Sequence, residues 1–140
     1  MPSYGPEMRG GTANCTVILS DKPIASPIIT EADILVAMNG PSLDRFEDML
    51  RPGGTLFINS SLIERRCGRR DVTACYVVCN RIAQELGSDK FANMIMLGAI
   101  VRKTGIVDLQ SVEKAMEKQF TGKKAKFLPL NKEAVLKWAE

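Results

Sequence analysis

Residues 34–38, Ile-Leu-Val-Ala-Met, are apolar without interruption and stop at Asn39-Gly40-Pro41. Five apolar residues in succession suit a strand buried on both faces, as in a parallel sheet covered by helices. Pro41-Ser42 opens a different rhythm, with Leu43, Phe46, Met49 and Leu50 at helical spacing, and Arg51-Pro52-Gly53-Gly54 reads as the stop. Thr55-Leu56-Phe57-Ile58 is the next buried strand and ends at Asn59-Ser60-Ser61. Strand, helix, strand in that order makes a crossover unit, right-handed by rule.

The pattern continues on both sides. Residues 72–78 form a further strand rich in β-branched side chains, and 80–86 a short helix closed by Gly87. Ser88 or Asp89 caps a longer helix to about Lys103, with Gly105 as its stop. Its apolar residues cover nearly the whole circumference, so it is either central in the domain or shared with another subunit. Asp108 caps an amphipathic helix to about Phe120, Asn131 caps a last one to about Ala139, and 121–130 reads as a loose Lys-rich connector. Upstream, 13–19 has strand composition. Residues 24–29, interrupted by Pro27, read as an edge strand or extended connector.

The expected architecture is a single domain over residues 1–140. It is a three-layer α/β fold with a Rossmann-like, mainly parallel sheet and helices on both faces. Ligands in such sheets sit beyond the carboxyl ends of the strands. That rule points to Asn39-Gly40 and Asn59-Ser60-Ser61, with plain turn chemistry as the alternative.

Composition narrows the chemistry. There is no histidine, which removes the commonest general base and zinc partner. Cys15, Cys67, Cys75 and Cys79 lack CxxC spacing and read as buried reduced thiols. No metal site or catalytic set is assigned to the chain. A formal net charge of +3 is too small to argue for nucleic acid. Two basic clusters stand out: Arg65, Arg66, Arg69 and Arg70, and a late run of Lys114, Lys118, Lys123, Lys124, Lys126 and Lys132. Each is a solvated face or a docking surface for an acidic partner or phosphates, and spacing alone does not decide. No apolar run approaches the roughly 20 residues that span a bilayer, so neither membrane nor nucleic acid is expected as a partner, and the expected compartment is the cytoplasm.

The segment Ser3-Tyr4-Gly5-Pro6-Glu7-Met8-Arg9-Gly10-Gly11-Thr12-Ala13-Asn14-Cys15 carries the most information. Glycines at 10 and 11 remove the Cβ atoms that would hold a ligand off the backbone. Successive N–H groups in such a turn can cradle an anion, and Arg9 adds a permanent charge with a forked donor set. This stretch is followed by Ser20-Asp21, Pro23-Ile24, Asp33 to Asn39 and Gly53-Gly54. Later come Ile82-Ala83, Glu85-Leu86-Gly87, Asn93-Met94 and Leu97-Gly98-Ala99. From Ser3 to about Phe120 the chain closely resembles the gamma subunit of 2-oxoacid:ferredoxin oxidoreductases of the 2-oxoglutarate or 2-ketoisovalerate type. It departs from the family at the start, where members carry a strand, a glycine-rich turn and a helix before this loop. The resemblance therefore implies a fold lacking its first βα unit, with an exposed sheet edge and poor behaviour as an isolated monomer.

What the resemblance implies is a subunit inactive alone. Its alpha and beta partners, with a delta (ferredoxin-like) subunit where present, carry thiamine diphosphate, magnesium and iron–sulfur clusters, and ferredoxin is met indirectly. The gamma part would complete the assembly and help form the coenzyme A site. Arg9, Gly10 and Gly11 are the expected coenzyme A contacts, with Asn14 bracing the loop and Asn39 and Ser60 as second-rank candidates. A purely structural assembly subunit and a stand-alone coenzyme A or nucleotide-binding protein are the competing readings. Selection of the oxoacid would rest with the thiamine-bearing subunits, leaning to 2-oxoglutarate.

Overall fold

A computed structural model describes residues 2–3, 14–15, 17–19 and 31–137. Its centre is a parallel sheet of three strands, β3 (Ala32–Ala37), β4 (Leu50–Asn59) and β5 (Thr73–Val77), in that spatial order. A separate pair, β1 (Pro2–Ser3) and β2 (Asn14–Cys15), is antiparallel, with Pro2 opposite Cys15 and Ser3 opposite Asn14. Five α-helices follow among the described residues: α1 (Gly40–Phe46), α2 (Cys79–Glu85), α3 (Ala92–Thr104), α4 (Leu109–Gln119) and α5 (Leu128–Lys137).

Alternation along the strands sorts side chains to two faces. Phe57, Cys75 and Val77 pack with Cys79 and Ala83 of α2 and with Ala92, Ile95, Met96 and Ala99 of α3. On the opposite face Ala37, Leu56 and Ile58 meet Leu43 of α1, Leu50 and Ile63. This is the three-layer α/β arrangement that unbroken apolar strands require. A third cluster, Val101, Val112, Met116 and Val135, stacks α4 and α5 on the outer side of α3. Helix α3 is therefore central in the domain: one side meets the sheet and the other meets two helices.

Several boundaries differ from expectation. Helix α1 ends at Phe46, a 3-10 turn takes Glu47–Met49, and Leu50 already begins β4. The Arg51-Pro52-Gly53-Gly54 stop is a bulge inside the strand: Ala32 pairs with Leu50, but Ile34 pairs with Thr55. Gly53 adopts φ +83 and donates its N–H to the Asp71 carbonyl at 2.7 Å. A Cβ on Gly54 would lie 2.9 Å from the Asp33 carbonyl oxygen, so the glycine pair is what lets the bulge close. Of the expected 13–19 strand, only Asn14–Cys15 is a strand among the described residues, and Val17 and Leu19 are exposed. Apolar composition makes a strand only where a neighbour takes its hydrogen bonds. The expected 24–29 element lies outside the described residues. Gly122–Phe127 forms a fully exposed 3-10 helix, and α5 starts at Leu128. Asn131 is inside that helix and donates to the Phe127 carbonyl at 2.8 Å instead of capping it.

The β4–β5 crossover contains no helix and is pinned by charge. Glu47 accepts from the Gly68 N–H at 3.1 Å and from Arg65 at 3.4 Å, while Arg65 also reaches Asp44 at 2.8 Å. Arg69 forks onto Asp71 at 2.9 and 2.7 Å and donates to the Glu47 and Leu50 carbonyls. Arg66 lies over the Tyr76 ring, 5.5 Å from its centroid. Burial pushes the Glu47 carboxyl up. Hydrogen bonds from Gly68 and Arg65 outweigh this and hold it below the ordinary carboxylate range. A carboxylate lowered in the fold contributes stability above its unfolded pKa and loses it as pH falls through its folded value. Protection of the Gly68 amide, followed by NMR, is expected to drop as pH falls below about 4. Glu47→Gln should flatten that acid limb; identical limbs in both proteins would refute this role.

Candidate functional site

The carboxyl ends of the three parallel strands meet around one buried amide. Asn59, the last residue of β4, is fully buried. Its Nδ2 donates to the Met38 carbonyl at 3.2 Å and to Asn80 Oδ1 at 2.8 Å, and its Oδ1 accepts from the Ser61 N–H at 3.3 Å. One side chain thus ties the residue after β3, the turn after β4 and the second residue of α2. Asn80 passes the chain on to Asp89 Oδ1 at 3.3 Å, which also accepts from Gln84 at 3.2 Å. The tight turn forms because the Leu62 and Ile63 N–H groups return to the Asn59 carbonyl at 3.2 and 3.0 Å. Ser61 Oγ then accepts the Arg81 N–H at 3.2 Å, satisfying a donor in the first turn of α2.

Beside this network lies an open depression of about 430 Å³. Ser60, Ser61, Asn80, Arg81, Gln84 and Asp89 supply its polar lining and Leu62 and Val78 its apolar lining. A wall of amides, two hydroxyls, one guanidinium and one carboxylate can hold a polar ligand by hydrogen bonds. It offers no paired general acid and base.

The sequence-predicted residues are distributed as follows. Ser60 borders the depression, and its N–H extends the sheet ladder to the Val77 carbonyl at 2.9 Å. Asn39 is the N-cap of α1, its Oδ1 accepting from the Ser42 N–H at 3.0 Å, so its oxygen is committed locally. Asn14 stands in β2 opposite Ser3. Arg9, Gly10 and Gly11 lie outside the described residues. Sequence reasoning pointed to the Asn59-Ser60-Ser61 turn but took Ser60 rather than Asn59 as its candidate, and it missed Asn80 and Asp89. A polar residue that directly follows a run of buried strand positions was the available signal for Asn59.

Cysteine chemistry points inward. Cys75 and Cys79 sit in the cluster under α2 and α3, and burial pushes the Cys79 thiol up to about 12. Cys67 lies against the opposite face; burial raises its thiol too. The described thiols thus lie on two sides of the sheet and do not converge as the ligands of one iron–sulfur cluster must. Among the described residues no three His, Cys, Asp or Glu side chains gather to hold a metal ion. Nor is any helix there long and apolar enough to cross a membrane.

Comparison with known proteins identifies this arrangement. The model of the pyruvate ferredoxin/flavodoxin oxidoreductase family matches residues 1–138. The chain belongs to that family. Among its oxidoreductase relatives is the 2-oxoglutarate synthase subunit KorC of Methanocaldococcus jannaschii, 38% identical over 116 residues, covering 81% of this chain and 62% of the relative. The ketoisovalerate oxidoreductase subunit VorA of Methanothermobacter thermautotrophicus is also 38% identical, over 143 residues, covering 99% of this chain and 29% of the relative. The crystal structure of a keto/oxoacid ferredoxin oxidoreductase gamma subunit from Geobacter sulfurreducens PCA superimposes with a TM-score of 0.76 at 28% identity. That match covers 97% of this chain and 74% of the other. The chain thus spans less than two-thirds of the two relatives it matches at 38% identity.

Proposed function

We propose that this chain is the gamma-type part of a thiamine diphosphate-dependent 2-oxoacid:ferredoxin oxidoreductase of the cytoplasm. Such an enzyme converts a 2-oxoacid and coenzyme A to acyl-CoA and carbon dioxide, and two electrons pass to ferredoxin. The observation that carries the reading is the family match over residues 1–138, together with the subunit relatives at 38% identity. Thiamine diphosphate with magnesium supplies carbanion chemistry, and iron–sulfur clusters carry electrons. All are assigned to partner alpha, beta and delta (ferredoxin-like) chains, since the described thiols here do not converge. The two relatives at equal identity are named for different oxoacids, 2-oxoglutarate and ketoisovalerate. That split supports selection of the oxoacid by the partner chains rather than by this one.

Within that complex the chain helps hold coenzyme A. Arg9, Gly10 and Gly11 bind its phosphates or pantetheine arm, with Asn14 anchoring the segment through the β1–β2 pairing. Ser60 and the amide nitrogen of Asn39, both at strand ends, are the second-rank contacts. The competing reading, assembly without ligand contact, draws on Asn39, whose oxygen already caps α1. Steady-state kinetics of the assembled enzyme separate the two. Arg9→Ala should raise KM for coenzyme A about tenfold, the loss of one charge-assisted hydrogen bond, and leave the oxoacid KM unchanged. Equal effects on both substrates, or dissociation of the complex, would reject direct contact.

A further inference from the structure

The two basic clusters of the chain have different fates in the fold. Three of the four clustered arginines have partners within the chain: Arg65 pairs with Asp44 and Glu47, Arg69 with Asp71, and Arg66 covers Tyr76. Most of the lysine run has no ion pair among the described residues. Residues 109–137 hold seven lysines and three glutamates, a net of +4, which leaves twelve basic and thirteen acidic residues in the rest of the chain. The entire positive excess of the protein is therefore on α4, the 3-10 helix after it and α5.

Only one ion pair neutralises any of it among the described residues: Lys132 to Glu117, 2.8 Å, which bridges α5 to α4. Lys114 and Lys118 stand one helical turn apart on α4, both exposed. Lys123, Lys124 and Lys126 project from a 3-10 helix whose six residues are all exposed, and no described carboxylate lies within ion-pair range of them. Apolar surface is interleaved with this charge. Phe127, under the Lys126 ammonium at 5.1 Å from its centroid, is 42% exposed, and Leu130 is 39% exposed.

We infer that this surface docks an acidic face of a partner protein within the assembled enzyme. Concentrated like charge left uncompensated in one place costs self-repulsion that an acidic surface removes. Exposed Phe and Leu among the lysines supply the apolar centre that a protein interface needs and a phosphate backbone does not use. A single aromatic gives no stacking platform for single-stranded nucleic acid. The inference rests on the proposed complex, and its test separates the two.

The assembled complex is treated with a zero-length carbodiimide, which joins amines to carboxylates in direct contact, and separately with an amine acetylating reagent; peptides are then read by mass spectrometry. Lys123, Lys124 or Lys126 should cross-link to Asp or Glu of another subunit. Those lysines should acetylate at least about fivefold more slowly than in the isolated chain, with Lys90 as the unprotected control. The K123E/K124E/K126E triple variant, which alters only exposed side chains, should weaken assembly and reduce its dependence on salt. An intact complex with no such cross-links and unchanged acetylation overturns the docking surface and leaves the gamma assignment standing. Protection that disappears on nuclease treatment overturns it in favour of nucleic acid. Failure of any complex to form removes the proposed function and this inference together.

Discussion

Gly98→Ala is expected to be the most damaging single methyl that the fold can be given. Gly98 is buried midway along α3, where α5 crosses it. A Cβ built there overlaps the Val135 carbonyl oxygen outright and lies 2.8 Å from the carbonyl carbon and 3.1 Å from the Cα of the same residue. These are helix backbone atoms, so no rotamer change relieves the clash. Helix α5 must move as a body, opening the cluster of Val101, Val112, Met116 and Val135. Overpacking of this kind costs about 3 kcal/mol, which for a chain of this size is about 10 °C in Tm. Alanine is otherwise the better helix former by about 1 kcal/mol, so propensity works against the predicted sign. An unchanged or raised midpoint in thermal unfolding would show that α3 and α5 do not approach as described.

Asn59→Leu is expected to cost a comparable amount for a different reason. The volumes are close, but the Met38 carbonyl, Asn80 Oδ1 and the Ser61 N–H would lose their partner at a buried point. Each group left without a partner there costs about 1–3 kcal/mol before relaxation, so a total of about 3 kcal/mol is expected. The depression edged by Ser60 and Asn80 should lose its shape as well, which ligand binding would report independently of the melting point. Asn59→Asp gives the sharper discrimination. Its ionised carboxylate would face the Met38 carbonyl and the Asn80 oxygen, which raises its folded pKa. A group raised in the fold contributes stability below its unfolded pKa, about 3.9, and loses it as pH rises through the folded value. This variant should therefore be closer to wild type in acid than at neutrality. A pH-independent deficit would mean that Asn59 acts by shape alone.

Much of this fold is legible in the sequence because its strands are short, apolar and bounded by turn residues. Ile34–Met38 and Leu56–Ile58 announce a sheet covered on both sides, and Gly105, with φ +65, ends α3 where its position predicts. The misreadings share one cause, an interaction with a distant residue. Pro52-Gly53-Gly54 has the composition of a helix stop, and only Asp71 and Asp33, brought alongside by the sheet, make it a bulge. Residues 17–19 have strand composition, yet a strand needs a neighbour in register, which composition does not specify. Asn131 looks like a cap because capping is a local preference, while its burial is tertiary.

The candidate site follows the same division. The strand-end rule pointed to Asn39-Gly40 and Asn59-Ser60-Ser61, which lie where β3 and β4 end. It could not single out Asn59 within its turn, because that residue's importance lies in three partners drawn from Met38, Ser61 and Asn80. Shared positive charge also concealed the difference between the two basic clusters. Carboxylates at 44, 47 and 71 pair with Arg65 and Arg69, and only the folded chain brings Asp44 and Glu47 to Arg65.

The central claim is that this chain works as one part of a larger oxidoreductase. Its most direct test is co-purification of the tagged chain from native extract under anaerobic conditions, with assay of what is recovered. The account predicts a thiamine diphosphate-binding chain and an iron–sulfur chain in fixed ratio with it, and 2-oxoacid- and coenzyme A-dependent reduction of ferredoxin by the recovered complex. Recovery of the chain alone, with no such activity restored by adding those partners, would contradict it.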